Sequence, residues 1–367
     1  MKWIWQHKNW YDFTYDSSKL VEFENEFHKN IGIIYGVVSH LESESLENLK
    51  IDILTQEALS TSSIEGEILK RESVQSSIRK HLGLKSDYRK VQPNEAGIAE
   101  MMVNIYQHYD KPLSDETFFL WHKMLMNGRR DIEVIGDYRQ HAEPMQIISG
   151  NFSAPKVFYE APPSTQVRNE MERLIAWYNF QIDNPNGMPS LIFAGIAHLY
   201  FEIIHPFEDG NGRIGRALVE KAISQKIKTP SFNSLAKVID SNKKAYYDAL
   251  QSCNHSKDVN KWLLFFAKIL LESQQYTIKM VSFLVQKSRF FIKYNDINER
   301  QSKVVLRIFD EGIEGFRGGL SAANYKSITG ASAATVTRDL QELTNIKALT
   351  KTGELKHTRY FLNLIDL

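Results

Sequence analysis

The twelve residues 205–216, HPFEDGNGRIGR, bring together one imidazole, two carboxylates, three glycines and two guanidinium groups. A helix that starts at about Asn211 or Gly212 leaves its first backbone N–H groups unpaired and points the positive end of its dipole back at the loop. Gly210 and Gly212 let the chain bend there and lie close to a ligand with no Cβ in the way. The expected product is an anion cradle of the kind that holds phosphate. Arg213 and Arg216 stand three apart, hence on one helical face, and present rigid forks of donors to further phosphoryl oxygens. Asp209, with Glu208 beside it, suits a magnesium ion shared with bound phosphates. His205 is the one side chain of the stretch able to take a proton near neutral pH. Together these groups meet the needs of phosphoryl or nucleotidyl transfer, which depends on positioning and charge neutralisation.

Taken singly, each feature is ordinary. Histidines at helix ends are commonly structural, Gly-Asn-Gly turns are commonly loops, and arginines three apart commonly face solvent. Their concentration in twelve positions is what favours chemistry. The chain has no glycine-rich loop ending in Gly-Lys-Ser/Thr, no HExxH and no GxSxG, which removes the ordinary P-loop, zinc-protease and serine-hydrolase readings.

These groups need elements to position them. The run LIFAGIAHLYFEII, residues 191–204, is almost wholly apolar and reads as a buried helix leading into the motif. Helical spacing also marks SKLVEFENEFHKNIGIIYGVVSHL, residues 44–60 with Leu46, Leu49, Ile53 and Leu54 on one face, 95–126 broken at DKPLSDE, and 164–182. Ser114 is a good N-cap after that break. The cluster STSSIEGEIL, with Gly66, marks a boundary between helices, and WIW near the start allows a short strand. Between Gly136 and Pro163, two short apolar pieces around a Ser-Gly-Asn turn predict a β-hairpin. Further helices occupy 231–294, with Asp258 as a cap. The polar run 294–300 then separates a tail, about 302–367, that reads helix, helix, helix, terminal hairpin. That is the order of a winged helix-turn-helix. The expected fold is mainly α, with one hairpin and this C-terminal module.

Lys and Arg total 45 and Asp and Glu 44 in 367 residues, a net charge of +1, which gives no support for a generally basic nucleic-acid binder or a polybasic membrane protein. The length allows two or three domains and a sizeable core. The single cysteine, Cys253, excludes an intramolecular disulfide and any multi-cysteine zinc site, and reads as a quiet thiol. No signal-like apolar region opens the chain and no apolar run is long enough to span a bilayer, so a cytoplasmic location without membrane contact is expected.

The motif resembles the complete signature of the Fic (Fido) family, residue for residue from His205 to Arg216. The resemblance implies an all-helical core and transfer of AMP from ATP to a Ser, Thr or Tyr hydroxyl of a protein substrate, with release of pyrophosphate. It implies that His205 deprotonates the target hydroxyl, that Asp209 holds Mg2+, and that Gly210, Asn211 and Gly212 surround the phosphates. Arg213 would contact the β-phosphate region and Arg216 the γ-phosphate. The hairpin would be the flap that pins a target segment by main-chain pairing, with Met145, Gln146, Ile147 and Ile148 on one side and Lys156, Val157, Phe158 and Tyr159 on the other. TSSIEG, residues 61–66, resembles the family's inhibitory motif, so Glu65 would pair with Arg216 and displace the γ-phosphate. Tyr246 or Tyr247, in YYDAL, lies where relatives place residues near adenine. The tryptophan-rich opening resembles a small domain ahead of the core in one bacterial subgroup. The implied organisation is an N-terminal helical unit over 1–90, a catalytic core over 91–295 and a winged-helix domain over 300–367. A homodimer and self-modification are further expectations of the family likeness.

Two other functions remain open on sequence alone. Glu65 could instead position water to remove AMP from a modified protein. Alternatively, the core could sense nucleotide for a DNA-binding regulator, with SAATVTRDLQEL as recognition helix and Lys326, Arg338, Lys347, Lys351, Lys356, His357 and Arg359 around it, although Asp339 and Glu342 dilute that charge.

Overall fold

The apolar run before the motif becomes α7 (Ser190–Ile204), in which every residue except Glu202 is buried. A helix that is apolar all round has to sit inside other helices, and α7 packs against α6 (Ser164–Asp183) and α8 (Asn211–Ile227). The computed structural model describes residues 1–86, 90–149, 156–313, 315–316 and 318–364. Among them are fourteen α-helices and two antiparallel two-stranded sheets, so the chain is mainly α with a hairpin, as its periodicity predicts. None of these helices is long and apolar enough to cross a membrane.

The chain divides into two compact units. The first holds residues 1–35 and 46–277, the second residues 36–45 and 278–367. Wholly or mostly in the first, α1 (Val21–Val38), α2 (Ser43–Ile64), α3 (Arg71–His81), α4 (Pro93–Gln107) and α5 (Asp115–Leu125) precede the hairpin of β1 (Gln146–Ser149) and β2 (Lys156–Glu160). Ser114 caps α5 by accepting from the Thr117 N–H. After α8 come α9 (Leu235–Ser241), α10 (Lys243–Gln251) and the long α11 (Asn260–Lys293), where Asp258 accepts from the Asn260 N–H at 3.0 Å. One apolar core joins Ile4, Trp10, Phe27 and Ile51 to Phe193, Phe201, Ile214 and Trp262, so residues 1–90 share their interior with the helices around the motif. The lone Cys253 thiol is buried in this unit, and burial pushes it up to about 11.

Three local expectations change. WIW is not a strand: Ile4–Gln6 is a single 3-10 turn, because the Ile4 N–H is taken by the Asn254 carbonyl at 2.7 Å and Trp3 stacks on His255. The boundary between helices does fall within STSSIEGEIL, at Gly66, but α2 runs past residue 60 to Ile64, since buried Thr61 and Ser62 sit inside the helix and Ile64 still packs. The unit boundary falls inside α11 and not at 294–300, because Phe290 and Tyr294 belong to the second unit's core. The expected Ser-Gly-Asn turn of the hairpin falls at 149–151, and residues 150–155 lie outside those described.

The second unit carries α12 (Glu299–Asp310), α13 (Ala322–Thr329), α14 (Ala333–Asn345) and the hairpin β3 (Leu349–Thr352) and β4 (Arg359–Leu362). Asn298, Ser321 and Ser332 cap the three helices through side-chain oxygens, and Gly330 at φ +69° turns α13 into α14. Val304, Ile308, Tyr325, Val336, Leu340 and Leu349 form the core.

Candidate active site

His205 ends α7 in the left-handed region, φ 50° and ψ 61°, while its N–H still bonds the Phe201 carbonyl at 2.9 Å. A non-glycine residue holds that conformation only when its surroundings over-determine it. Arg139, almost wholly buried, does so. Its Nε donates to the His205 carbonyl at 2.8 Å, and its backbone N–H donates to the Pro206 carbonyl at 2.9 Å. Its Nη1 and Nη2 reach Ser164 Oγ at 2.9 Å and the Pro162 carbonyl at 2.5 Å. Phe207 is buried and stacks on His122, ring centroids 4.2 Å apart. Nothing in the sequence singles out Arg139, which lies in a short polar run without periodicity. Arg139→Ala leaves several buried carbonyls unpaired and is expected to destabilise the protein by about 3 kcal/mol. Urea unfolding of the two proteins checks this; equal stability would remove the bracketing role.

The loop then closes on itself. Asn211 accepts from the Phe207 N–H at 2.9 Å and donates to the Phe207 carbonyl at 2.8 Å. Its side chain therefore shapes the loop, and only its backbone is left for a ligand. Gly210 sits at φ +83°, and a Cβ there would lie 2.7 Å from Met126 Cε and 2.8 Å from Leu125 Cδ2, so glycine is required. Asp209 accepts from the Gly210 N–H at 2.5 Å and pairs with Arg129 at 2.9 Å and Arg213 at 3.5 Å. Its carboxylate remains more than one-third exposed, on the cavity. No three His, Cys, Asp or Glu among the described residues are placed to hold a metal ion together, so these offer no all-protein metal cage. One exposed carboxylate beside a phosphate cradle does fit Mg2+ that takes its other oxygens from phosphates and water.

The end of α2 reaches the same place. Three backbone bonds close the turn: Glu65 and Glu67 N–H to the Ser62 carbonyl at 3.1 and 2.9 Å, and Gly66 N–H to the Ser63 carbonyl at 3.0 Å. Glu65 Oε1 lies 2.7 Å from Arg216 Nη2, and a Cβ on Gly212 would collide with that same oxygen. Arg216 also donates from Nε to Thr61 Oγ1 at 2.7 Å and from Nη2 to the Thr61 carbonyl at 3.0 Å. Although burial opposes its charge, Glu65 holds the Arg216 guanidinium above its ordinary value. Arg213 meets Glu67 at 2.9 Å. Behind the turn, α2 is tied down by Glu57, which accepts from the Ala236 N–H, and by Lys243 Nζ, which donates to the Ile64 carbonyl.

One cavity of about 650 Å³ is lined among others by Glu65, His205, Asp209, Gly212, Arg216 and Tyr247. That volume lies in the usual range for small-ligand sites. Burial, helped by the Arg139 charge, pushes the His205 imidazole down to about 4, so it is neutral and able to accept a proton at pH 7. Glu202, which nothing in the sequence marks as part of the site, lies 3.8 Å from His205 Nδ1, and burial pushes its carboxyl up to about 8 despite Arg216 nearby. Tyr246 is almost wholly buried, with its hydroxyl 2.7 Å from His198 Nε2, so it belongs to the wall. Tyr247 is only half-buried, which leaves it the better of the two for contact with a flat ring.

The hairpin forms the cavity's rim. Gln146 pairs with Glu160, Ile147 with Tyr159 and Ile148 with Val157, with an irregularity between Ile147 and Ile148. Tyr159 anchors it by donating to the Ile203 carbonyl at 2.6 Å, next to His205. The outer side of β2 is already occupied: the Phe158 carbonyl accepts from Asn254 Nδ2 at 2.8 Å and the Glu160 carbonyl from Trp5 Nε1 at 2.7 Å. The outer side of β1 carries no such cover among the described residues, and Ile147 and Ile148 are exposed. Met145 and Phe158 also line the cavity; Lys156 and Val157 contribute their backbone to the ladder.

Residues 112–223 match the Fic/DOC family, and residues 3–84 match a domain of unknown function, DUF4172. The chain is 32% identical over 93 residues to a probable protein adenylyltransferase of Aquifex aeolicus, a match covering 25% of this chain and 26% of that protein. It is 26% identical over 131 residues to protein adenylyltransferase Fic of Nematostella vectensis, covering 35% of this chain and 28% of that protein. The matched part thus spans about a quarter of the length of these relatives. A Fic family protein from Desulfovibrio desulfuricans has a similar fold, with TM-score 0.52 and 20% identity over 92% of this chain and 96% of that one. A Fic domain containing signaling protein from Bacteroides thetaiotaomicron gives TM-score 0.54 and 18% identity, over 70% and 97%.

Proposed function

We propose that this chain, a member of the Fic family, is a protein adenylyltransferase that moves AMP from ATP to a Ser, Thr or Tyr hydroxyl of a target protein and is held back by its own Glu65. The observation that carries the reading is the convergence of His205, the Gly210–Gly212 turn and Arg216 on one cavity that Glu65 already enters. The names of the two relatives support the reaction type.

In the reaction, the target hydroxyl oxygen attacks the α-phosphorus of ATP, its proton passes to neutral His205, and the bond to the β-phosphate oxygen breaks to release pyrophosphate. Gly210 makes the turn, its own N–H held by Asp209, and Gly212 brings its backbone N–H to the phosphates with no side chain in the way. Arg213 and Arg216 neutralise charge on the departing pyrophosphate. Magnesium held by Asp209 would supply further charge neutralisation. The target segment lies along β1, whose free backbone groups extend the hairpin by one strand. The bulge between Ile147 and Ile148 re-aims that edge. Incubation with ATP labelled on the α- or the γ-phosphate tests the reading. Label retained on protein from α alone supports it; label retained from γ identifies a kinase and ends it.

A second reading concerns the second unit. Asp339, the acid in the middle of α14, is turned inward, where it pairs with Arg300 at 3.1 Å and accepts from the Tyr325 hydroxyl at 2.9 Å. The charge it brings to the sequence is therefore absent from the outer face, which presents Thr337, Arg338, Gln341 and Glu342. With exposed Lys351 on β3, these are side chains suited to base edges and phosphates. We propose that this winged-helix arrangement binds duplex DNA. The full-length protein is expected to retard random duplex at low salt and release it as salt rises. Combined Arg338→Ala and Lys351→Ala should lower the salt slope by about 2. No retardation at low salt would end this reading.

A further inference from the structure

Two carboxylates, not one, leave the end of α2 for the arginines of α8. Glu65 and Glu67 flank Gly66, whose φ of +84° reverses the chain. They meet Arg216 and Arg213 at 2.7 and 2.9 Å. The guanidinium groups are fixed features of the interior, with side chains only 3% and 4% exposed, while both carboxylates are nearly one-third exposed. The turn is therefore the removable part of each pair.

The arginines are not saturated by this arrangement. Arg213 Nε and Arg216 Nη1 are buried donors without a partner among the described residues. Buried polar groups normally have partners, and an unmet one calls for explanation. Two carboxylates present four oxygens; a diphosphate or triphosphate tail presents more, and places them around each phosphorus where a forked donor can use several.

We infer that residues 65–67 form a two-pronged stand-in for a polyphosphate, in which Glu67 occupies Arg213 as Glu65 occupies Arg216. This rests on the nucleotide-transfer reading of the site. It adds that Glu67 governs how tightly the chain holds the phosphate next to the transferred group. Glu65 and Glu67 therefore divide the work: one excludes the terminal phosphate, the other the penultimate one.

Adenosine nucleotides of different length separate the two prongs. AMP, ADP and ATP are titrated calorimetrically into the full-length protein and into Glu67→Gln, Glu67→Asp and Glu65→Gln, with thermal unfolding as the check that each variant is folded. Glu67→Gln is expected to tighten ADP about ten-fold, a change worth about 1.4 kcal/mol, and to leave AMP unchanged. Glu67→Asp, which keeps the charge, should stay near the unaltered chain. Combining Glu67→Gln with Glu65→Gln should tighten ATP beyond either change alone. Unchanged ADP affinity in Glu67→Gln, while ATP still tightens in Glu65→Gln, would overturn the Glu67 proposal and leave the nucleotide reading intact. Equal tightening of AMP and ADP would overturn it too, because that marks a general loosening of the turn. No binding of any nucleotide to any variant would overturn both.

Discussion

Glu65→Gly is expected to raise ATP-dependent AMP labelling ~10- to 100-fold, the effect of removing one charge-assisted hydrogen bond of ~1.5–3 kcal/mol from a buried donor. The glutamate does two things at once. It neutralises Arg216, and its Oε1 lies where the first turn of α8 would receive a phosphate, as the collision with a Cβ on Gly212 reveals. On the proposed function, ATP entering beside it has neither the guanidinium nor the cradle in place, so the α-phosphorus is poorly oriented for attack. Glycine removes both obstructions while Thr61 still holds Arg216 through its hydroxyl and carbonyl. The measurement is labelled AMP on protein from a lysate, with mass spectrometry of the labelled band. Equal labelling by the two proteins would remove the inhibitory role. If the unaltered chain strips AMP from a pre-labelled target and Glu65→Gly does not, the direction of the reaction has to be reversed.

His205→Ala, made in the Glu65→Gly protein, is expected to cost ~100- to 10,000-fold in labelling while nucleotide binding persists. Burial and the Arg139 charge hold the imidazole down at about 4. A base with a lowered value stays neutral, and active, until the pH falls through that value. The acid limb of kcat/KM therefore belongs well below the 6.5 of a free imidazole and near 4. Losing Glu65, whose charge pulls the value upward, moves the limb further down. A profile from pH 4 to 8 checks this, and a full acid limb at 6.5 would show that His205 acts from a solvated position.

Much of the site is legible from sequence because its chemistry is contiguous. His205, Asp209, the glycines and the two arginines all fall within one helix end and the next helix start, where local geometry sets their directions. Glu65 is legible only through its motif, since 151 residues separate it from Arg216. Arg139 is illegible for the same reason: its partners lie 23 to 66 residues away, and nothing periodic marks it. The sequence leaves Tyr246 and Tyr247 as equal candidates for the adenine and counts Asp339 among the surface charges, because spacing does not say which side of a short helix is covered; packing does. The persistence of α2 through Thr61–Ile64 has a like cause. Weak helix formers stay helical where Arg216 and a buried isoleucine reward it.

On the proposed function, the hairpin limits which clients can be reached. With Trp5 and Asn254 stapled along β2, a visiting strand finds a single margin to dock on and cannot wedge between the hairpin and the opening turn of the chain. Which stretches of a client protein can be served then depends on whether they can lie flat and extended along that one side, with a hydroxyl hanging inward.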